Sequence, residues 1–241
     1  MNFRRYLKMA ILAAATMTLT ACGGGGETGP EWAQDLKAEI VPRDFSPGTY
    51  LSTCLVIPFV AGSEALQESD QVTYDFVETQ EGTKLYVTHT LYSTLDCVDT
   101  GTSKQAEIRF PVSSITKAGP TRVTGVELNE SNVTVIGEEN MPGEKIFMIQ
   151  SSSEVQITVF NGATLTDGTD PDLGALKVIT SSAGNVLFNS PPLVDESIAK
   201  DVIVLKGNVM YFGIQDDGND EAYDSDGYPL YVDLGLPITR Q

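Results

Sequence analysis

Two hydrophobic periods divide this chain. In residues 31–40, Trp32, Leu36 and Ile40 recur every four positions on one stripe, the signature of a helix. Pro30 sits where a first-turn proline is tolerated, and Pro42 and Pro47 end the pattern. The expectation is a short N-terminal helix that caps the domain. From Thr49 onward the period falls to two. Val72, Tyr74 and Phe76 alternate with Thr73, Asp75 and Val77; Glu81-Gly82 interrupts, and residues 84–92, KLYVTHTLY, resume the alternation. That is a hairpin signal. Val155, Ile157 and Val159 alternate again, and residues 178–180 and 186–188 flank the turn-forming Ser181-Ser182-Ala183-Gly184-Asn185. The clearest hairpin joins 202–205 to 209–212 through Lys206-Gly207-Asn208, since a Gly-Asn pair suits a tight turn. Further strands are expected at 49–57, 105–112, 122–128, 144–151 and 230–232.

Roughly ten short strands separated by turn signals predict an all-β domain, an antiparallel meander forming a barrel or a sandwich. Closing such a sheet removes the edges that invite aggregation. Gly48-Thr49-Tyr50, following a short helix, resembles the Gly-x-Trp opening of lipocalins, with Tyr50 in place of the Trp. The resemblance implies a lipocalin-like barrel. The strands are short, carry charges on both faces and lack aromatic girdles, which argues against a barrel that spans a membrane.

The first residues have a different logic. Arg4, Arg5 and Lys8 precede an apolar run, 9–19, broken only by Thr16 and Thr18. The run is shorter than the roughly 20 residues a bilayer requires. Basic start, short apolar core and small residues before a cut site make a secretory signal. Leu19-Thr20-Ala21-Cys22 resembles the lipobox of bacterial lipoprotein precursors. The resemblance implies cleavage before Cys22, a diacylglyceryl group on its thiol and acylation of its new amine. Several acyl chains anchor stably where one is marginal. The organisation expected is a signal peptide at 1–21, a lipidated Cys and glycine-rich tether at 22–30, and one β-rich domain at 31–241. Gly23 to Gly26 form the flexible part of that tether. In Gram-negative lipoproteins an Asp after the lipidated Cys often retains the protein at the inner membrane; Gly23 stands there instead. The resemblance thus implies the outer membrane, facing the periplasm.

Charge narrows the partners. The full chain carries a net charge of −18, and loss of the three basic residues of the signal takes it to −21. Nucleic acid wants a basic stripe, so it is not an expected partner. Attachment to the membrane is expected through acyl chains alone, because the field of the domain repels an anionic surface. Cys54 and Cys97 remain after Cys22, an even pair in an oxidising compartment, and are expected to form a disulfide.

Candidate chemistry is sparse. The acidic stretch 216–227, DDGNDEAYDSDG, aligns with a calcium loop when Gly227 takes the sixth position. Asp224, Asp226 and Asp233 then fall on ligating positions. Ala222 falls on the first and cannot ligate; Asp220 and Glu221 lie just upstream as substitutes in a different loop shape. The strands expected on either side are the wrong context for an EF-hand, and a solvated surface loop is the competing reading. Asp167, Asp170 and Asp172 form a second acidic turn. His89, the sole histidine, shares a period-two face with Leu85, Val87 and Leu91. No G-x-S-x-G motif supplies a nucleophile, so a hydrolase is the least favoured function. The favoured reading is a non-catalytic binding module for a small apolar ligand or an envelope partner, with Val87, His89 and Leu91 lining a cavity. A structural or assembly lipoprotein with a filled core is the alternative. An interior cavity of several hundred Å³ favours ligand carriage, and a filled core favours a scaffold.

Overall fold

The computed structural model describes residues 47–56, 68–127, 140–171, 174–194, 196–215 and 222–241. The signal, Cys22, the tether and the expected helix at 31–40 lie outside the described residues, as do Asp220 and Glu221. The described chain is nearly all β. Its strands are β1 (Gly48–Ser52), β2 (Leu55–Val56), β3 (Ser69–Thr79), β4 (Gly82–Tyr92), β5 (Lys104–Arg109), β6 (Ser113–Val126) and β7 (Met141–Gln150). They continue as β8 (Ser153–Glu154), β9 (Gln156–Val159), β10 (Thr164–Asp170), β11 (Gly174–Thr180), β12 (Val186–Ser190) and β13 (Leu193–Val194). The last are β14 (Ser197–Lys206), β15 (Val209–Phe212), β16 (Tyr231–Asp233) and β17 (Ile238–Arg240).

Among the described residues most strands join one 12-stranded sheet, ordered β16-β6-β7-β14-β15-β17-β1-β3-β4-β5-β9 with β2 beside β3. The sheet is mixed, because β16 runs parallel to β6. A further antiparallel pairing sets Thr83, Lys84 and Leu85 of β4 against Ile115, Ser114 and Ser113 of β6. Following the pairings from β6 through β7, β14, β15, β17, β1, β3 and β4 therefore leads back to β6. Side chains from all eight of these strands meet. One buried cluster takes one residue from each: Ile115, Ile146, Ile203, Met210, Ile238, Tyr50, Phe76 and Leu85. Their immediate chain neighbours point the other way, as pleating requires.

The simple meander expected from consecutive hairpins is modified in two ways. β1 pairs with β17 from the far end of the chain rather than leaving an edge. Residues between β7 and β14 form an excursion, since Ser197 pairs with Gln150 and the two strands then run in register to Ile203 and Glu144. The excursion contains a three-stranded sheet, β10-β11-β12, and the short pair β8 and β13. Its Ile179, Leu187 and Phe188 pack on Leu91, Ala106, Ile108 and Phe110, covering the β4–β5 region. A third cluster lies on the outer face of β14, where Val202 and Val204 meet Tyr228 and Val232. The expected acidic turn at 167–172 is partly strand: Asp167 and Asp170 belong to β10, paired with Lys177 and Gly174 of β11.

Candidate ligand cavity

The ring interior is only partly filled. Beside the eight-residue cluster lies a cavity of about 200 Å³, lined mainly by apolar side chains. Val87, His89 and Leu91 all line it, because residues two apart on β4 face the same side. The register of β3 against β4 sets Tyr74 opposite Val87, Val72 opposite His89 and Asp70 opposite Leu91. All three β3 residues line the cavity too. Phe110 closes on the His89 ring edge to face, with centroids 5.4 Å apart.

Two polar groups on opposite walls give the cavity its chemistry. On β3, Oδ2 of Asp70 accepts a hydrogen bond from Nδ1 of His89 at 2.7 Å. The other oxygen, Oδ1, is buried and has no hydrogen-bond partner among the described residues. On β14, Asp201 is buried, and its Oδ1 accepts the N–H groups of Val202 at 2.7 Å and Gly213 at 2.9 Å. Burial pushes the Asp201 carboxyl up to about 7, and its backbone and Gln215 hydrogen bonds only partly counter that. Three strands separate β3 from β14 by either route around the ring, so the two walls face each other. Tyr74 stands between their fields. Burial first, then the charges of Asp70 and Asp201, raise its phenol far above its ordinary range and keep it protonated. No lysine or arginine is among the described residues that line the cavity.

The sequence reading named His89 but passed over Asp70, Tyr74 and Asp201 as site residues. Their signal was phase. Asp70 precedes Val72 by two, and Asp201 precedes Ile203 by two, so each is a carboxylate on an otherwise apolar inward face.

At the β2 end, Cys54 and Cys97 form the expected disulfide, with Cα atoms 5.6 Å apart. It ties the β1–β2 junction, whose neighbours Ser52, Thr53 and Leu55 line the cavity, to the loop after β4.

The acidic loop uses its carboxylates locally. Oδ1 of Asp224 accepts the N–H groups of Asp226 and Tyr228, each at 2.9 Å. Its Oδ2 lies 2.7 Å from Nζ of Lys145, and Asp226 lies 3.4 Å from the same nitrogen. Burial works against the charge on Asp224, yet the Lys145 and backbone hydrogen bonds hold its carboxyl below the usual range. Lys200 donates to the Asp226 carbonyl, and both lysines stack on the Tyr228 ring at 4.8 and 5.3 Å. Asp233 is on β16, where its Oδ1 accepts the N–H of Gly235 at 2.8 Å. Among the described residues no three His, Cys, Asp or Glu side chains converge as a metal site. In the second acidic turn, Asp167 pairs with Lys177 at 2.6 Å.

Comparison with known proteins adds no relative: the chain matches no family model, no curated protein and no solved structure.

Proposed function

We propose that this chain is a lipid-anchored, non-catalytic binding module that carries a small, largely apolar molecule inside a closed β-barrel. The observation that carries this reading is the cavity of about 200 Å³ bounded by strands of the ring. Eight strands make a barrel interior that side chains either fill or leave open for one small ligand. The pairing of β4 with β6 supports closure, and the cluster with one residue per ring strand supports a common interior. In the same reading the lipobox-like segment ending at Cys22 anchors the domain to the outer membrane, and Gly23 to Gly26 let it stand off in the periplasm.

Two measurements test this. Titration with the apolar fluorophore N-phenyl-1-naphthylamine is expected to give saturable emission. Ala199→Phe, which fills the cavity from β14, is expected to weaken that binding roughly tenfold or more while the fold persists. Equal binding by the filled variant removes the ligand-carrying role. Cys22→Ser is expected to move the chain from the membrane to the soluble fraction, and unchanged attachment removes the anchor.

A further inference from the structure

The cavity is apolar in its body and one-signed at its polar wall. Asp70, Asp201 and Asp233 line it, His89 is the sole basic side chain among the described lining residues, and that imidazole is already engaged by Oδ2 of Asp70. Among the described residues, Oδ1 of Asp70 stays buried without a donor. A buried oxygen of a carboxylate without a partner is unfavourable, so a ligand that brings a donor gains from filling that vacancy. A carboxylate or phosphate head would instead meet Asp70 with no lysine or arginine among the described lining residues to offset it.

Resting on the binding-module reading, we propose that the cavity takes a small apolar molecule bearing one protonated amine, its ammonium at Oδ1 of Asp70 and its hydrocarbon body along Val87, Leu91 and Phe110. An ammonium offers three donors and no acceptor, which suits the open acceptor at Oδ1 of Asp70. Tyr74, held protonated, adds a neutral oxygen that can accept a further bond. Charge-assisted hydrogen bonds of this kind are about twice as strong as neutral ones. The surplus negative charge of the whole domain also concentrates cations near its surface.

The test is calorimetric titration of the purified full chain at neutral pH with n-octylamine, 1-octanol and octanoate, which share one body and differ in head. The amine is expected to bind roughly tenfold tighter than the alcohol and tighter still than the carboxylate. Asp70→Asn is expected to bring amine and alcohol within about threefold of each other without weakening the alcohol, and Asp70→Ser serves if that variant misfolds. If alcohol or octanoate binds wild type as tightly as the amine, the head-group inference is overturned while the cavity reading stands. If none of the three binds, both fall.

Discussion

The N–H of Gly213 donates to Oδ1 of the buried Asp201 at 2.9 Å, and the approach is so close that only glycine fits there. A Cβ at this position would lie 2.5 Å from that oxygen and 2.7 Å from the Pro229 ring. Gly213→Ala must therefore separate β14 from the strand end that follows β15. The expected outcome is a loss of about 2 kcal/mol, from overpacking and a weakened buried hydrogen bond, read as a lower Tm by thermal unfolding.

Asp201 also makes stability depend on pH. Its folded pKa, about 7, lies above the ordinary 3.8. The native state thus holds a proton that the unfolded chain releases between those values, so this group contributes less stability as pH rises through that window. Below 3.8 it contributes no penalty, and above 7 the penalty is complete. Asp201→Asn keeps an oxygen for the two N–H donors and removes the charge. Its Tm relative to wild type is expected to rise between pH 5 and pH 8, by the equivalent of a few kcal/mol at most. A constant difference would show that the carboxyl is not desolvated.

The Cys54–Cys97 link closes a loop with a sequence separation of 43. The chain-entropy model gives about 4 kcal/mol for a loop of this length. Paired Cys54→Ser and Cys97→Ser substitutions are expected to lower Tm by roughly 10 °C, since 1 kcal/mol shifts a domain of this size by about 2–4 °C. They are also expected to weaken binding of the fluorescent probe, because the linked segment forms part of the cavity wall.

Lys145 and Asp224 latch the 222–234 segment over the outer face of β14. The lysine is mostly covered, at 19% side-chain exposure, and also stacks on Tyr228. Lys145→Met keeps the stem and removes the charge, and is expected to destabilise by about 1 kcal/mol and to speed proteolysis of this segment. Because the Asp224 carboxyl is held below its ordinary pKa, its contribution is present above about pH 4 and lost as pH falls further. With Asp224 and Asp226 both facing Lys145, millimolar calcium is expected to leave the Tm unchanged, and a clear rise would give the loop a ligand role.

Local alternation made the hairpins legible. Val72, Tyr74 and Phe76 sit on one face of β3, and Leu85, Val87, His89 and Leu91 on one face of β4. Where the apolar alternation failed, so did the reading. β10 carries mostly exposed polar residues, and an exposed strand leaves no apolar period. β6 begins at Ser113, well before the strand expected at 122–128, and runs through Gly119 and Pro120 past a bulge between Lys117 and Gly119.

The sequence alone determined the β class, the alternating inward faces and the pairing of the two cysteines, because period, turn chemistry and cysteine count are properties of neighbouring residues or of composition. Only the tertiary structure decided that β4 meets β6, that β17 meets β1, and that Asp70 and Asp201 look at each other across one cavity. Those relations join residues far apart in the chain. Which strand edges satisfy one another, and how much space remains between their side chains, depends on packing the whole chain at once.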